Sequence, residues 1–293
     1  MKDSGKKFMR FYFLYVQPWQ FLMRRKFRKT TFGIEDSIDM PKAAIDFQRD
    51  QTTCNHLCIG DTGRHQRYLS DYYVFEKQPE AKSMDLWGRG FPAIINLTTY
   101  KSADDYQQGL KRQSKGAHLR QIKKAKSYGY TCGRFNFEDY SDEILTIKQS
   151  KNFRSGGPVM AALFKKKPSS KARTEVPHEV TDPSCPNHWY LYWGVFLAKG
   201  DSEQNKTLAG YIKLNRVGNI VHIPGIMGHA KHLRTGALKC LFLETVSWLI
   251  ESEEPAVQGT QYLQYGSIEH ASKGLAQWKK NFLFEPYVFK SFK

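Results

Sequence analysis

From Phe91 onward the chain alternates between short apolar runs and longer stretches in which apolar residues recur every three or four positions. Phe91 to Tyr100 (FPAIINLTTY) has the compact apolar centre of a strand. Residues 102–128 read as one or two helices: Leu119, Ile122 and Ala125 fall on a narrow stripe, and Gly129 sits where a helix would stop. Tyr130 to Phe135 predicts a short strand, and Glu138 to about Phe153 a helix carrying Ile144, Leu145 and Ile147. Trp189 to Ala198 (WYLYWGVFLA) is a strongly aromatic strand. Thr207–Val217 and Asn219–Ile226 predict two more, joined across the turn signal Gly218-Asn219.

The best helical pattern in the chain is Thr235 to about Ser252, with Leu238, Leu241, Phe242, Trp248 and Leu249 on one stripe. A strand over Gln261–Gly266, a helix over Ser272–Asn281 with Leu275 and Trp278 inward, and a closing strand over Glu285–Phe289 complete the order. Three meandering strands, a crossover helix, a strand, a helix and a last strand describe an α/β (α+β) mixed sheet with one parallel crossover. Residues 1–75 carry no such pattern, and no internal repeat is visible. The expected organisation is therefore an N-terminal region of unclear fold over 1–75 and a domain over 76–293. Residues 165–187, rich in Lys, Pro and Ser, interrupt that domain as a surface loop.

Composition sharpens this picture. Of 293 residues, 40% are hydrophobic and 14% aromatic, enough for a real core, which excludes wholesale disorder. No run of about 18 apolar residues occurs, so no conventional membrane span is expected. Five cysteines do not suggest a secreted disulfide framework; the default is a reduced, cytoplasmic protein. The formal net charge of +17 favours a polyanionic partner, namely nucleic acid, a phosphorylated cofactor or an anionic membrane face.

The charge is clustered. Residues 1–30 hold nine basic side chains around an aromatic segment, a composition suited to peripheral contact with the anionic inner membrane face or to a strand packed on a core. Residues 111–126 hold seven basic residues and no acid, and make Lys111, Arg112, Lys115, Arg120, Lys123 and Lys124 candidate polyanion ligands. The segment 228–237 is a glycine-flanked turn opening into the helix at Thr235. Exposed amides and the helix dipole favour an anion there, with Lys231 and Arg234 adding charge. Cys54, His56, Cys58, Cys185 and His188 have spacings that a zinc site would accept, but the two halves fall on distant elements, and no metal is expected. Cys132 and Cys240 read as core.

The stretch His118 to Tyr130 (HLRQIKKAKSYGY) resembles the R-x-I-x-x-A-x-x-x-G helix of FemABX-like members of the GNAT acyltransferase superfamily. The tail YLQYG at 262–266 followed by GLAQWKKNFLFEP at 274–286 resembles their closing pattern. The likeness covers roughly residues 90–293. It implies a GNAT-like mixed sheet in which two parallel strands splay apart around the acyl group, and transfer of that group from acyl-CoA or aminoacyl-tRNA to an amine. It places the donor's pyrophosphate where a strand enters the crossover helix, at Lys231, His232, Arg234, Thr235, Gly236 and Ala237, with Lys273 and Lys279 adding charge. Leu233 and Leu238 around Gly236 depart from the usual acyl-CoA signature, which leans toward the FemABX branch. The tyrosine that the superfamily often carries on its late helix has no counterpart over 272–281, so Tyr265, with Glu269 and His270 just beyond, is the nearest cluster able to act as acid or base. Three readings follow: an acyl-CoA-dependent N-acyltransferase acting on an amine of a small molecule or sugar, an aminoacyl-tRNA-dependent transferase, and a non-catalytic module on the same fold that binds nucleic acid or membrane.

Overall fold

The computed structural model describes residues 44–45, 92–151, 153–154, 157–158, 180–198, 206–268 and 273–289. Strand β1 (Pro92–Asn96) stops short of Tyr100 because the Asn96 side chain accepts from Thr98 N at 3.1 Å and turns the chain into a 3-10 turn at Leu97–Thr99. Helix α1 (Ala103–Ser114) is capped by Ser102, with Asp104 and Asp105 in its first turn and Lys111 and Arg112 in its last. It ends at Lys115 and Gly116, both with positive φ, and α2 (Ala117–Ser127) begins at once. Strand β2 (Tyr130–Arg134) follows. The helix expected from Glu138 instead starts at Ser141, as α3 (Ser141–Gln149), after a 3-10 turn at Phe137–Tyr140. Tyr140 docks edge-on against Phe135 at 5.4 Å, and that contact sets the entry of the helix.

Strands β3 (His188–Ala198), β4 (Lys206–Val217) and β5 (Ile220–Gly228) form the expected meander, with Gly218 at φ 60° in the last turn. Helix α4 (Ala237–Glu251) crosses over to β6 (Tyr262–Ser267). Helix α5 (Lys273–Asn281) and β7 (Glu285–Pro286) close the domain. The seven strands lie in the order β7-β1-β6-β5-β4-β3-β2, antiparallel throughout except for the parallel pair β5–β6. This is the mixed α/β sheet with one crossover that the element order predicts. Two short pairings lie outside it: Ala44–Ile45 runs parallel to Val288–Phe289, and Phe153–Arg154 pairs with Gly157–Pro158.

The main core lies between the sheet and helices α1, α2, α4 and α5. Trp189, Leu191 and Val195 of β3, Ile212 and Leu214 of β4 and Leu263 of β6 meet Leu241, Phe242, Val246 and Leu249 of α4. Phe242 also holds Trp278 and Phe282 at 4.8 and 4.7 Å, so α4 is covered on its outer side too. That is why its buried face is wider than a single stripe; each such side chain contributes about 1.5–3 kcal/mol. A second cluster, Phe135, Tyr140, Ile144, Ile147, Phe196, Leu208 and Tyr211, seats α3.

One buried cation ties these layers together. Arg216, 1% exposed, donates to Gly218 O at 2.8 Å, Ala256 O at 2.9 Å and Gln258 O at 2.5 Å. Burial lowers its guanidinium to about 10. The three carbonyls compensate for the lost water and pin the β4–β5 turn to the connection between α4 and β6.

Candidate functional site

Strands β5 and β6 pair only at Ile220↔Tyr262, Val221↔Leu263 and His222↔Gln264. Beyond that row β5 runs on to Gly228 beside β4, and β6 runs on to Ser267 beside β1. The two strands therefore part. Pro224, which has no amide hydrogen to give a ladder, lies two residues past the last paired row, and the β4–β5 register shifts opposite it. The parted strands and the crossover helix give the strand arrangement that the family resemblance implies.

At the head of β5 the chain enters a tight turn. His229 N donates to Ala209 O at 2.8 Å, Ala230 N donates to Ser150 Oγ at 3.0 Å, and His229 Nδ1 accepts from Lys231 N at 3.2 Å. A single 3-10 turn, Ala230–His232, leads to Gly236, whose φ of 90° an L side chain rarely adopts. Gly236 is also pressed against the backbone of α2: a Cβ there would overlap Gln121 O. The first amides of α4 are largely satisfied by their own chain. Ala237 N donates to Thr235 Oγ1 at 3.3 Å, and Lys239 N and Cys240 N both reach Gly236 O at 2.9 Å.

The expectation of bare helix-start amides is thus met only in part, and the anion-attracting character of the turn comes chiefly from its side chains. Lys231 and Arg234 are exposed, with no ion pair among the described residues. Gly236 and Ala237, also expected at the donor, are buried. His232 Nδ1 lies 2.6 Å from the Tyr130 hydroxyl, and burial, then His229 and Lys231, lower the imidazole. A neutral ring accepting from Tyr130 is the tautomer this favours.

The other expected residues are scattered. Tyr265 is half-buried on β6 beyond the parting point, its ring packed edge-on against Trp278 at 5.9 Å. Glu269 and His270 lie outside the described residues, as do the side chain of Lys273, most of the 165–187 loop and the basic segment 1–30. Lys279, which the resemblance implied as a further cation for the donor, is 2% exposed, donates to Ser267 O at 2.7 Å and sits 4.9 Å over the Tyr265 ring. The sequence places it on a helix; only packing reveals that the inward turn of that helix carries it. Cys185 Sγ approaches His188 Nδ1 at 3.7 Å, whereas Cys54 and Cys58 lie outside the described residues. Among the described residues no three potential ligands gather.

Lys111, Arg112, Lys115, Arg120, Lys123 and Lys124 are all exposed on α1 and α2, and none makes an ion pair among the described residues. The seventh cation of that stretch, Lys126, is bound to Glu244 at 2.6 Å. An open hollow of about 690 Å³ is lined, among the described residues, by Gln108, Lys111, Arg112 and Lys115. Tyr128, 52% exposed at the end of α2, lies 5.6 Å from the Lys124 ammonium.

No family model matches the chain, and no curated protein matches it. Solved structures similar to it include a protein of Bacillus licheniformis described as L-PGS, at 11% identity and a TM-score of 0.34, covering 60% of this chain and 44% of that one. The C-terminal domain (DUF2156) of a lysylphosphatidylglycerol synthetase of Agrobacterium fabrum gives 12%, 0.35, 67% and 58%, and a GCN5-related N-acetyltransferase of Kribbella flavida gives 9%, 0.31, 55% and 48%. The chain spans less than two thirds of the length of each. The GNAT-like architecture rests on the strand order, the parted parallel pair and the crossover helix described above.

Proposed function

We propose that this protein is an N-acyltransferase that moves an acyl group from a phosphate-bearing donor, acyl-CoA, to an amine. The observation that carries the reading is the conjunction of a parted β5–β6 pair with a turn whose exposed cations, Lys231 and Arg234, flank the start of the crossover helix. In this reading those two side chains, with Thr235 and His232 beside them, hold the donor's phosphates, and the acyl group lies in the gap between the strands. The amine nitrogen attacks the thioester carbonyl carbon. The C–N bond forms, the C–S bond breaks, the amine loses a proton and the departing thiolate gains one. In this reading Tyr265, on β6 beyond the last row paired with β5, gives that proton, with the Lys279 ammonium over its ring.

Calorimetric titration with CoA and acetyl-CoA at moderate salt tests the donor. Micromolar, stoichiometric binding is expected, and Lys231→Ala with Arg234→Ala should lower the affinity at least tenfold, about 1.4 kcal/mol, without changing the melting temperature. Undiminished binding in the double variant would sink the site assignment. A second reading takes aminoacyl-tRNA as donor, and the six unpaired cations of α1 and α2 favour it. The non-catalytic alternative, a module binding nucleic acid or membrane, predicts polyanion binding with no turnover of either donor.

A further inference from the structure

The geometry points to a reversible oxidation site at Cys132 and Cys240, two thiols brought together across the interface between β2 and α4. Cys132 Sγ donates to Cys240 Sγ at 3.8 Å although 108 positions separate them in sequence. Both are free thiols. A disulfide needs about 2 Å between sulfurs, so the pair has less than about 2 Å left to close. The two positions differ in access: Cys132 is half-buried on the edge strand, while Cys240 is 1% exposed in the first turns of α4.

The surroundings set the chemistry. The proton shared between the sulfurs belongs to Cys132, whose hydrogen bond lowers the Cys240 thiol and correspondingly raises the Cys132 thiol. Lys126, bound to Glu244, lies beside the pair. Cys240 accepts the Cys132 hydrogen bond and lies in the first turn of α4, where the helix dipole favours an anion, which makes it the attacking thiolate and Cys132 the resolving thiol. The oxidant is hydrogen peroxide, small enough to enter where a bulky disulfide would not. The Cys240 thiolate attacks one peroxide oxygen, the O–O bond breaks, and a sulfenic acid forms with release of hydroxide. Cys132 sulfur then attacks the Cys240 sulfur, the S–O bond breaks, and water leaves with the Cys132 proton. Two thiols are oxidised to one disulfide as one peroxide is reduced to two waters. The product ties the edge strand to the helix that opens beyond Lys231 and Arg234. This chemistry stands independently of the acyl-transfer reading.

The test exposes the full-length native protein to hydrogen peroxide, blocks the remaining thiols and maps peptides without reductant. A Cys132–Cys240 linked peptide, lighter by two hydrogens and lost on treatment with dithiothreitol, is expected. In Cys132→Ser the sulfenic acid on Cys240 should persist and be trapped by dimedone, with little dimedone on Cys240 in the wild type. Recovery of both cysteines as free thiols, or equal dimedone labelling of Cys240 in the two proteins, would overturn the assignment. The wild-type map requires no substitution, so a variant that misfolds does not decide the question.

Discussion

His118 shows how a single side chain takes its chemistry from its surroundings. The ring is 7% exposed on α2, packs 5.1 Å from Phe282, and its Nδ1 is buried with no hydrogen bond among the described residues. Burial, and then the Lys239 ammonium, lower it from 6.5 to about 4. Between those values the unfolded chain binds a proton that the folded chain refuses. Stability is therefore full above pH 6.5 and falls toward pH 4, by up to about 3 kcal/mol. Denaturant melts of wild type and His118→Leu across that range check it: the variant should lose this part of the pH dependence. At this scale the sequence was legible where charge meets solvent. Lys231 and Arg234 read as cations of the turn and are exposed, whereas Lys279, implied as a donor cation by the resemblance, is buried. Residue type and helical periodicity alone do not tell an inward cation from an outward one; the neighbours Ser267 and Tyr265 do.

At the scale of elements, the turn before α4 rests on one backbone position. Gly236 combines a φ of 90° with contact against Gln121 O, so Gly236→Ala must either rotate the turn or push α2 away. We expect a loss of about 1–3 kcal/mol, read as a lower melting temperature. Donor binding should weaken further than that of Lys231→Ala alone, because the whole turn moves. A variant as stable as wild type would show that the turn is plastic. The elements themselves were largely legible, because α1, α2, α4 and the meander each repeat at the period of their structure. Three boundaries were not: the closing strand expected over Glu285–Phe289 is split at Tyr287, its first part pairing with β1 and its second with Ala44–Ile45. β1 ends at Asn96 through its own side-chain hydrogen bonds, and α3 starts late because Tyr140 docks on Phe135 and Phe196. The parting of β5 from β6 had a signal, Pro224 inside an otherwise regular strand, that periodicity by itself does not register.

For the whole molecule, the net charge of +17 resolves into surfaces. If the α1–α2 face grips a polyanion, RNA binding should weaken steeply from 50 to 200 mM salt, and replacing Lys111, Arg112 and Lys115 by Ala should reduce the logarithmic salt slope by about 2–3. Filter binding of a transfer RNA across salt measures this, and an unchanged slope would assign the charge to solvation alone. By itself the sequence determined the order of the described elements, the parallel crossover, the cationic helices and the position of the turn, because period, turn chemistry and charge are local properties that survive in any packing. Only the tertiary structure decided which residues meet. It seated Arg216 on three carbonyls, capped the start of α4 with its own chain, buried Lys279 and set Cys132 against Cys240. Such pairings depend on faces and registers of elements far apart in the chain, and no local pattern encodes the distance between them.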